Sequence, residues 1–275
     1  MSEVVRVGVV GAGGRMGREV SRAVIGRPGL DLVSAVDPGF VGADLSALVG
    51  ADAGSVAVAA DAMAMAEAGV DVAVDFTRIE AVRTTLPVCA AAGIHAVVGT
   101  TGVTQLDLDD WGRQFAGPPA GAPNCVVAAN FAIGAVLLMR FCELAAPHFD
   151  SVEIVELHHE GKVDAPSGTS LRTAERIAAG RTSAGAAALP GDRTTTTVVE
   201  GVRGGEGPGG VRIHSLRLPG LVAHQEVVFG STGQTLTLRH DTTDRVSFMD
   251  GVLLAIGAVP HRPGLTVGLE PLLGL

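Results

Sequence analysis

Residues 156–169 contain the densest group of side chains that exchange protons near neutral pH. His158, His159 and Lys162 place two imidazoles and one amine within five residues. Lys162 is also the single lysine among the 20 basic residues of the chain. Because arginine keeps its proton near neutral pH and lysine can release it, we interpret Lys162 as a candidate for proton transfer. The alternative is a chance survivor of GC-rich codon usage.

The same segment ends in Ser167-Gly168-Thr169, immediately before a predicted helix. Exposed backbone N–H groups at a helix start can hold a carboxylate, although this composition also suits simple helix capping. Zinc binding by the adjacent histidines is a rival interpretation. We expect no metal site, because neighbouring strand residues point to opposite faces and no other His or Cys spacing supports one.

A glycine-rich turn, GAGGRMG, occupies residues 11–17 between a predicted strand and a predicted helix. Gly11 permits a tight turn, Gly13 permits close approach of a pyrophosphate, and the helix start offers N–H groups to that anion. The G-x-G-x-x-G pattern is broken, since Met16 takes the third glycine position and Gly17 comes one residue late. The context still predicts dinucleotide binding, with an ordinary glycine-rich turn as the alternative.

Asp37 supports that prediction and bears on which nucleotide binds. It ends the second predicted strand, where a carboxylate can accept hydrogen bonds from both adenosine ribose hydroxyls. A carboxylate should repel a 2′-phosphate, and Pro38 offers no cationic side chain, so NADH is favoured. Arg15 lies close by in the turn and could attract a 2′-phosphate, which leaves NADPH open.

The elements that must position these residues alternate between strand and helix in the first half of the chain. Short apolar runs predict strands at 4–10, 30–36, 70–76, 94–98 and 125–128. Helical spacing predicts helices at 15–25, 79–92 and 104–115. This alternation is typical of βαβ units, and it predicts an α/β fold with a Rossmann-like, doubly wound parallel sheet.

The pattern changes after about residue 130. Helices are predicted at 132–146, from about 169 and at 246–259, and strands at 152–157, 211–218, 223–229 and 234–240. The glycine-rich stretch 201–210 is interpreted as a loop. We therefore expect a second α+β domain with a mixed sheet.

Composition narrows the function. The chain of 275 residues has a formal charge of −9 and only 3% aromatic residues, which argues against nucleic-acid binding. No apolar run is long enough to cross a bilayer, so no membrane partner is expected. The three cysteines lie far apart, which favours reduced thiols and a cytoplasmic location.

The run HHEGKVDAPSGT at 158–169 resembles the signature of the 4-hydroxy-tetrahydrodipicolinate reductase family, formerly dihydrodipicolinate reductase, of the diaminopimelate and lysine pathway. Three other stretches are similar to the same family: GAGGRMG at 11–17, GTTG at 99–102 and AANF at 128–131. The resemblance continues to the C-terminal LTVGLEPLL run and covers nearly the whole chain.

The resemblance implies a role for each domain and for individual residues. Residues 1–130 would bind the dinucleotide, residues 131–241 would bind substrate and build a homotetramer, and about 242–275 would return to the first domain. His158 would be the catalytic proton donor or acceptor and Lys162 the proton donor, while His159, Gly168 and Thr169 would bind the substrate carboxylates. The residues implied for the cofactor are Gly11, Ala12, Gly13, Gly14, Arg15 and Met16 on the pyrophosphate, Asp37 on the adenosine ribose, and Gly99, Thr100, Thr101, Ala128, Ala129, Asn130 and Phe131 around the nicotinamide.

The implied reaction is NAD(P)H-dependent reduction of a cyclic imine with two carboxylates, in which hydride addition must be followed by protonation. This chain departs from some members at Glu160-Gly161, where they carry basic residues, and at Pro38, where some carry an Arg that suits NADPH. Two alternatives stay open: a nicotinamide oxidoreductase for another small imino or amino dicarboxylate, and a nucleotide-sensing regulator without turnover.

Overall fold

The structure, a computed structural model, describes residues 4–116 and 122–275. It divides the chain into two compact units, one comprising Met1–Ile133 with Phe248–Leu275 and the other Gly134–Ser247. In chain order the helices and strands of the described residues are β1 (Val5–Val10), α1 (Arg15–Ile25), β2 (Leu30–Val36), α2 (Leu45–Val49), β3 (Val58–Ala59), α3 (Met63–Glu67), β4 (Val72–Asp75), α4 (Ile79–Ala92), β5 (His95–Val98), α5 (Gln105–Gln114), β6 (Cys125–Val127), α6 (Ile133–Ala145), β7 (Ser151–His158), α7 (Gly168–Ser183), β8 (Gly205–Glu206), β9 (Arg212–Arg217), β10 (Ala223–Ser231), β11 (Gln234–Thr242), α8 (Met249–Ala258), β12 (Leu265–Val267) and α9 (Glu270–Leu273).

The first unit is built on a seven-stranded sheet in the order β12-β6-β5-β4-β1-β2-β3, and its strand pairs are parallel. Apolar residues are buried on both faces of the central strands, such as Val72 and Ala73 in β4, which explains why these strands are nearly continuous apolar runs. The strand order reverses between β1 and β4. In a doubly wound sheet this point, at the carboxyl ends of the strands, is where ligands bind.

The second unit contains a five-stranded mixed sheet in the order β11-β10-β7-β9-β8. The central strand β7 pairs parallel with β9 and antiparallel with β10. One sheet face packs on α6 and α7 through a core that includes Ile154, Ala174 and Phe229. The alternate residues of β7, such as Val155 and Leu157, face the other way and are half-buried.

The predicted fold class, a Rossmann-like parallel sheet with a second mixed-sheet unit, is confirmed. Short elements were not predicted, among them β3, β12, α2 and α3. The stretch interpreted as a loop, 201–210, contains β8, which pairs antiparallel with β9. The predicted helix at 246–259 begins with a 3₁₀ turn at Arg245–Phe248 before α8.

Two further properties bear on function. In the described part of the chain no helix is long and apolar enough to cross a membrane. Cys89, Cys125 and Cys142 are buried free thiols, and burial raises the pKa of Cys89 to about 12, so this thiol is inert at neutral pH.

Candidate active site

The turn after β1 is shaped by glycine. Gly11 has a φ of +74°, and its N–H donates to the carbonyl of Val36 at 2.7 Å, which ties the turn to the end of β2. A Cβ at Gly11 would lie 2.7 Å from the Thr77 methyl carbon. Both the backbone conformation and the space therefore require glycine here.

Helix α1 packs directly onto this turn through Gly17. A Cβ at Gly17 would lie 2.0 Å from the carbonyl oxygen of Gly11, so only glycine allows the helix to sit this close. Gly17 therefore has the role that the third glycine of a G-x-G-x-x-G turn ordinarily has, which is to allow close packing of the helix. The glycines that shape the turn are Gly11, Gly14 and Gly17, spaced three residues apart.

The N-terminus of α1 is open to an anion. Gly14 caps the helix without a side-chain hydrogen bond, and the first turn contains no acidic residue. Gly14 and Arg15 are both exposed. Unpaired N–H groups and the positive end of the helix dipole at this position suit a phosphate group. The turn therefore fits a dinucleotide pyrophosphate.

Asp37 lies beside the turn and is half-buried. Its Oδ2 accepts from the N–H of Gly13 at 3.0 Å and its Oδ1 from the N–H of Gly39 at 2.9 Å, so its carboxylate is oriented by backbone donors. Phe40 covers Gly13, where a Cβ would meet the ring at 2.1 Å. Arg18 lies with its guanidinium 5.6 Å from the centroid of that ring, and its Nε donates to the Gly13 carbonyl at 2.9 Å. Phe40 and Arg18 were not predicted as site residues.

The predicted nicotinamide residues follow β5 and β6, at the same edge of the sheet. The Gly99 N–H donates to the Asp75 carbonyl at 2.9 Å, and the Ala128 N–H donates to the Val98 carbonyl at 3.0 Å. Asn130 accepts from the Ala132 N–H at 2.9 Å through its side chain, which fixes the chain before α6. Thr101 and Ala129 are exposed, whereas Thr100, Ala128 and Phe131 are buried.

The loop after β4 joins this edge and was not predicted as part of the site. Asp75 accepts from both the N–H and the hydroxyl of Thr77, at 2.8 and 2.5 Å, and burial raises the pKa of Asp75. The Thr100 hydroxyl donates to the Thr77 carbonyl at 2.8 Å. Phe76 packs against Phe131 with ring centroids 5.3 Å apart. Asp75 and Phe76 lie in the predicted strand 70–76 and Thr77 follows it directly, so no sequence pattern indicated that they belong to the site.

In the second unit, the loop between β7 and α7 brings together the residues of the HHEGKVDAPSGT run. His158 is the last residue of β7, and the Lys162 N–H donates to the His159 carbonyl at 3.1 Å in a tight turn. The Lys162 ammonium donates to both carboxylate oxygens of Asp164, at 2.8 and 2.9 Å. This hydrogen bond lowers the pKa of Asp164.

The start of α7 is the second feature of this loop. Ser167 caps the helix by accepting from the Ser170 N–H at 3.2 Å. Gly168 is exposed, and a Cβ there would have no neighbour within 4 Å, so the backbone is open to a ligand. His159 is exposed as well and Thr169 is half-buried. The arrangement supplies an ammonium, an imidazole and helix N–H groups to an anion.

Beneath His158 lies a buried carboxylate that sequence reasoning missed. Glu156 is fully buried and accepts from Arg217 at 2.7 and 3.0 Å and from His158 Nδ1. Burial alone would raise the pKa of Glu156, but hydrogen bonds from Arg217, Ser215 and His158 together hold it below its usual value. Burial lowers the pKa of His158, aided by the positive charges of Lys162 and Arg217 and opposed by Glu156.

Comparisons with known proteins cover both units. The family model described as "Dihydrodipicolinate reductase, N-terminus" matches residues 5–131, and the model described as "Dihydrodipicolinate reductase, C-terminus" matches residues 134–273. A 4-hydroxy-tetrahydrodipicolinate reductase of Nocardia farcinica is 47% identical, with 98% of this chain and 99% of the relative covered. One of Cutibacterium acnes is also 47% identical, with 99% and 100% covered.

A solved structure agrees with the sequence relatives. The dipicolinate-bound dihydrodipicolinate reductase from Paenisporosarcina sp. TG-14 has a TM-score of 0.80 and 37% sequence identity, and covers 98% of this chain and 99% of its own. The fold and the sequence thus indicate the same relationship along the whole chain.

Proposed function

We infer the reaction from one premise: the chain belongs to the dihydrodipicolinate reductase family. This membership confirms the resemblance of the 158–169 run. The protein is an oxidoreductase of the diaminopimelate and lysine pathway, which reduces 4-hydroxy-tetrahydrodipicolinate with NADH or NADPH. The reduction runs through dihydrodipicolinate to tetrahydrodipicolinate.

The observation that carries the site assignment is the loop between β7 and α7. It holds Lys162, His158 and the open start of α7 in one segment of the second unit. The related bacterial structure has dipicolinate bound, and dipicolinate carries two carboxylates. We infer that the N–H groups of Gly168 and Thr169, with His159, bind a substrate carboxylate of the same kind.

Proton delivery is assigned to Lys162. When bound, the reduced nicotinamide supplies a hydride to the conjugated C=C–C=N system of the substrate. The electron density left on the substrate must then take up a proton. Lys162 can donate that proton from its ammonium, which an arginine at the same place could not. His158, at the end of β7, is assigned the exchange of a second proton, and Asp164 orients the Lys162 side chain.

The cofactor is assigned to the first unit. The start of α1, with Gly11 to Met16, would hold the pyrophosphate, and Asp37 would hold the adenosine ribose. Gly99 to Thr101 and Ala128 to Phe131 would line the nicotinamide site, joined by Phe76 and Thr77.

NADH is the preferred form of the cofactor in this proposal. The Asp37 carboxylate repels a 2′-phosphate. Arg18, a nearby cation, is engaged by the Gly13 carbonyl and the Phe40 ring. Arg15 is exposed and free to turn toward a 2′-phosphate, so NADPH remains usable.

The second unit is also assigned to assembly. Residues 131–241 would bind substrate and form a homotetramer through the sheet face opposite α6 and α7, and residues from about 242 would belong with the dinucleotide-binding domain 1–130. Half-buried Val155, Leu157 and Val228 on that face give it apolar surface to cover. We place the enzyme in the cytoplasm, where its three thiols stay reduced.

A coupled assay tests the function. A synthase supplies the unstable substrate, and the oxidation of NADH and of NADPH by the purified protein is followed by the loss of the absorbance of the reduced nicotinamide. Substrate-dependent oxidation, faster with NADH at equal concentrations, is expected. Binding of NADH without oxidation would refute the reductase function, and a preference for NADPH would refute the role given to Asp37.

A further inference from the structure

Glu156 is the most deeply buried charged side chain of the loop region, with 0% of its surface exposed. An ionised carboxylate is expensive to remove from water unless it is paired and fully hydrogen-bonded. An apolar residue of similar size could fill the same space in the core. The presence of Glu156 therefore calls for an explanation in its polar partners.

Arg217 supplies the pairing. Strand β9 runs parallel to β7 with Glu156 opposite Ser215 and His158 opposite Arg217. From there the guanidinium reaches back and binds Glu156 with two hydrogen bonds, 2.7 Å to Oε1 and 3.0 Å to Oε2. Such a two-bond contact keeps the carboxylate ionised and fixes its plane.

The orientation of the imidazole follows from that carboxylate. Oε2 of Glu156 contacts Nδ1 of His158. An ionised carboxylate can only accept, so Nδ1 must carry a hydrogen and donate it. A neutral imidazole has one N–H, which leaves Nε2 as a bare acceptor. The His158 side chain is 14% exposed, so solvent or a ligand can reach the ring.

We propose that Glu156 is a positioning residue for the reduction, clamped by Arg217 so that it holds His158 in the Nδ1–H tautomer and leaves Nε2 as the nitrogen that exchanges a proton. This inference rests on the proposed function. The charged groups around the ring are Glu156 on β7, Arg217 on β9 and Lys162 on the following loop. Both cations favour the neutral ring, while Glu156 stabilises the imidazolium whenever Nε2 takes up a proton.

Strand β7 also provides a matched control. Glu153, on the opposite face of the strand, contacts Arg203 at 2.5 Å and His214 Nε2 at 2.7 Å, so it too bonds one arginine and one histidine. Its side chain is 33% exposed and lies outside the candidate active site, on the sheet face assigned to assembly, so the oligomeric state of Glu153→Gln is measured beside its activity. Replacing Glu153 thus repeats the chemical change of replacing Glu156 without touching His158.

The first experiment uses the unaltered protein. Full-length chain labelled with ¹⁵N-histidine is studied by two-dimensional ¹H–¹⁵N correlation NMR that detects the ring nitrogens. The His158 signals are assigned by their loss in His158→Asn. We expect the neutral ring to carry its hydrogen on Nδ1. A neutral ring with its hydrogen on Nε2 would overturn the proposal, whether or not any Glu156 variant folds.

The second experiment compares Glu156→Gln with Glu153→Gln. The amide is nearly isosteric but removes the negative charge, so we expect the pKa of His158, followed by the same NMR signals, to fall in Glu156→Gln and to stay in place in Glu153→Gln. We expect kcat/KM to drop by about tenfold or more only in Glu156→Gln, below the ~10²–10⁴-fold cost of losing a general acid or base outright.

The outcomes separate this proposal from the function on which it rests. If the unaltered enzyme fails to reduce the substrate in the coupled assay, the proposed function fails. If it is active and His158 titrates identically in Glu156→Gln and in the unaltered protein, the positioning role of Glu156 is refuted while the function stands. Equal losses of kcat/KM in both variants, with no movement of the His158 pKa, would also refute it.

Discussion

Replacing Lys162 with arginine separates proton donation from charge. Arginine keeps a positive charge at this position and can hold the Asp164 carboxylate, to which Lys162 now donates two hydrogen bonds of 2.8 and 2.9 Å. It cannot release a proton near neutral pH. We therefore expect Lys162→Arg to lose turnover while substrate and cofactor still bind, and Lys162→Met to lose turnover and weaken substrate binding as well.

The structure sets the size of each effect. The Lys162–Asp164 pair is exposed on one side, with 57% of the Asp164 side chain accessible, and pairs of this kind stabilise a fold by about 0–1 kcal/mol. Loss of a general acid costs ~10²–10⁴-fold in rate, or about 3 to 5 kcal/mol of activation free energy. The loss of turnover should thus far exceed anything that a change in stability could cause.

The assay measures kcat and KM in the coupled system at saturating NADH, NADH affinity from the cofactor fluorescence, and the midpoint of thermal unfolding. We expect kcat of Lys162→Arg to fall by at least ~10²-fold, with NADH affinity unchanged. Turnover within about threefold of the unaltered enzyme would refute the reasoning, because a side chain that cannot give up its proton would then support the reaction.

Three further outcomes are expected. Asp37→Ala should lower the ratio of kcat/KM with NADH to kcat/KM with NADPH, because it removes the carboxylate that repels a 2′-phosphate. Phe40→Ser should lower the same ratio, because it removes the ring that holds Arg18. An unchanged ratio in both variants would contradict this reasoning. Gly17→Ala should destabilise the fold by about 1–3 kcal/mol in urea and weaken NADH binding, because the new Cβ would lie 2.0 Å from a carbonyl oxygen. Hydrogen bonds from Arg83 and Thr104 hold the pKa of Asp107 well below its usual value, so Asp107→Asn should destabilise the protein at pH 7, and the difference in unfolding midpoint should shrink as the pH falls below about 4.

Much of the fold could be predicted because its main elements are long and strongly patterned. The helix over Arg15–Ile25 and the strand over Leu30–Val36 have the bounds that their apolar spacing indicated. The missed elements are short and owe their form to their partners. Val58–Ala59 is a strand only because it pairs with the end of β2, and Leu265–Val267 only because it pairs with β6.

The site was most readily predictable where its residues are close in sequence. The run from His158 to Thr169 is local, so its chemistry could be read from spacing. Arg217 is 61 residues from Glu156 in the sequence, and the parallel pairing of β7 with β9 brings the two together. No local sequence pattern predicts that contact. A glutamate in a strand is ordinarily expected at the surface, so its complete burial could be learned only from the packed sheet.

The distribution of cations bears on the solitary lysine. The cations that hold buried groups in place are arginines, which have several donors. Arg181 donates to the carbonyls of Ala146 and Phe149 at 2.7 and 2.6 Å, and Arg217 donates to the Glu156 carboxylate. A GC-rich codon bias would explain the scarcity of lysine but not its position. Among the residues that the structure describes, the Lys162 side chain hydrogen-bonds one side chain, the largely exposed carboxylate of Asp164, which an arginine would bind at least as well. What lysine adds at that position is a proton it can release, and this supports its assignment as the donor.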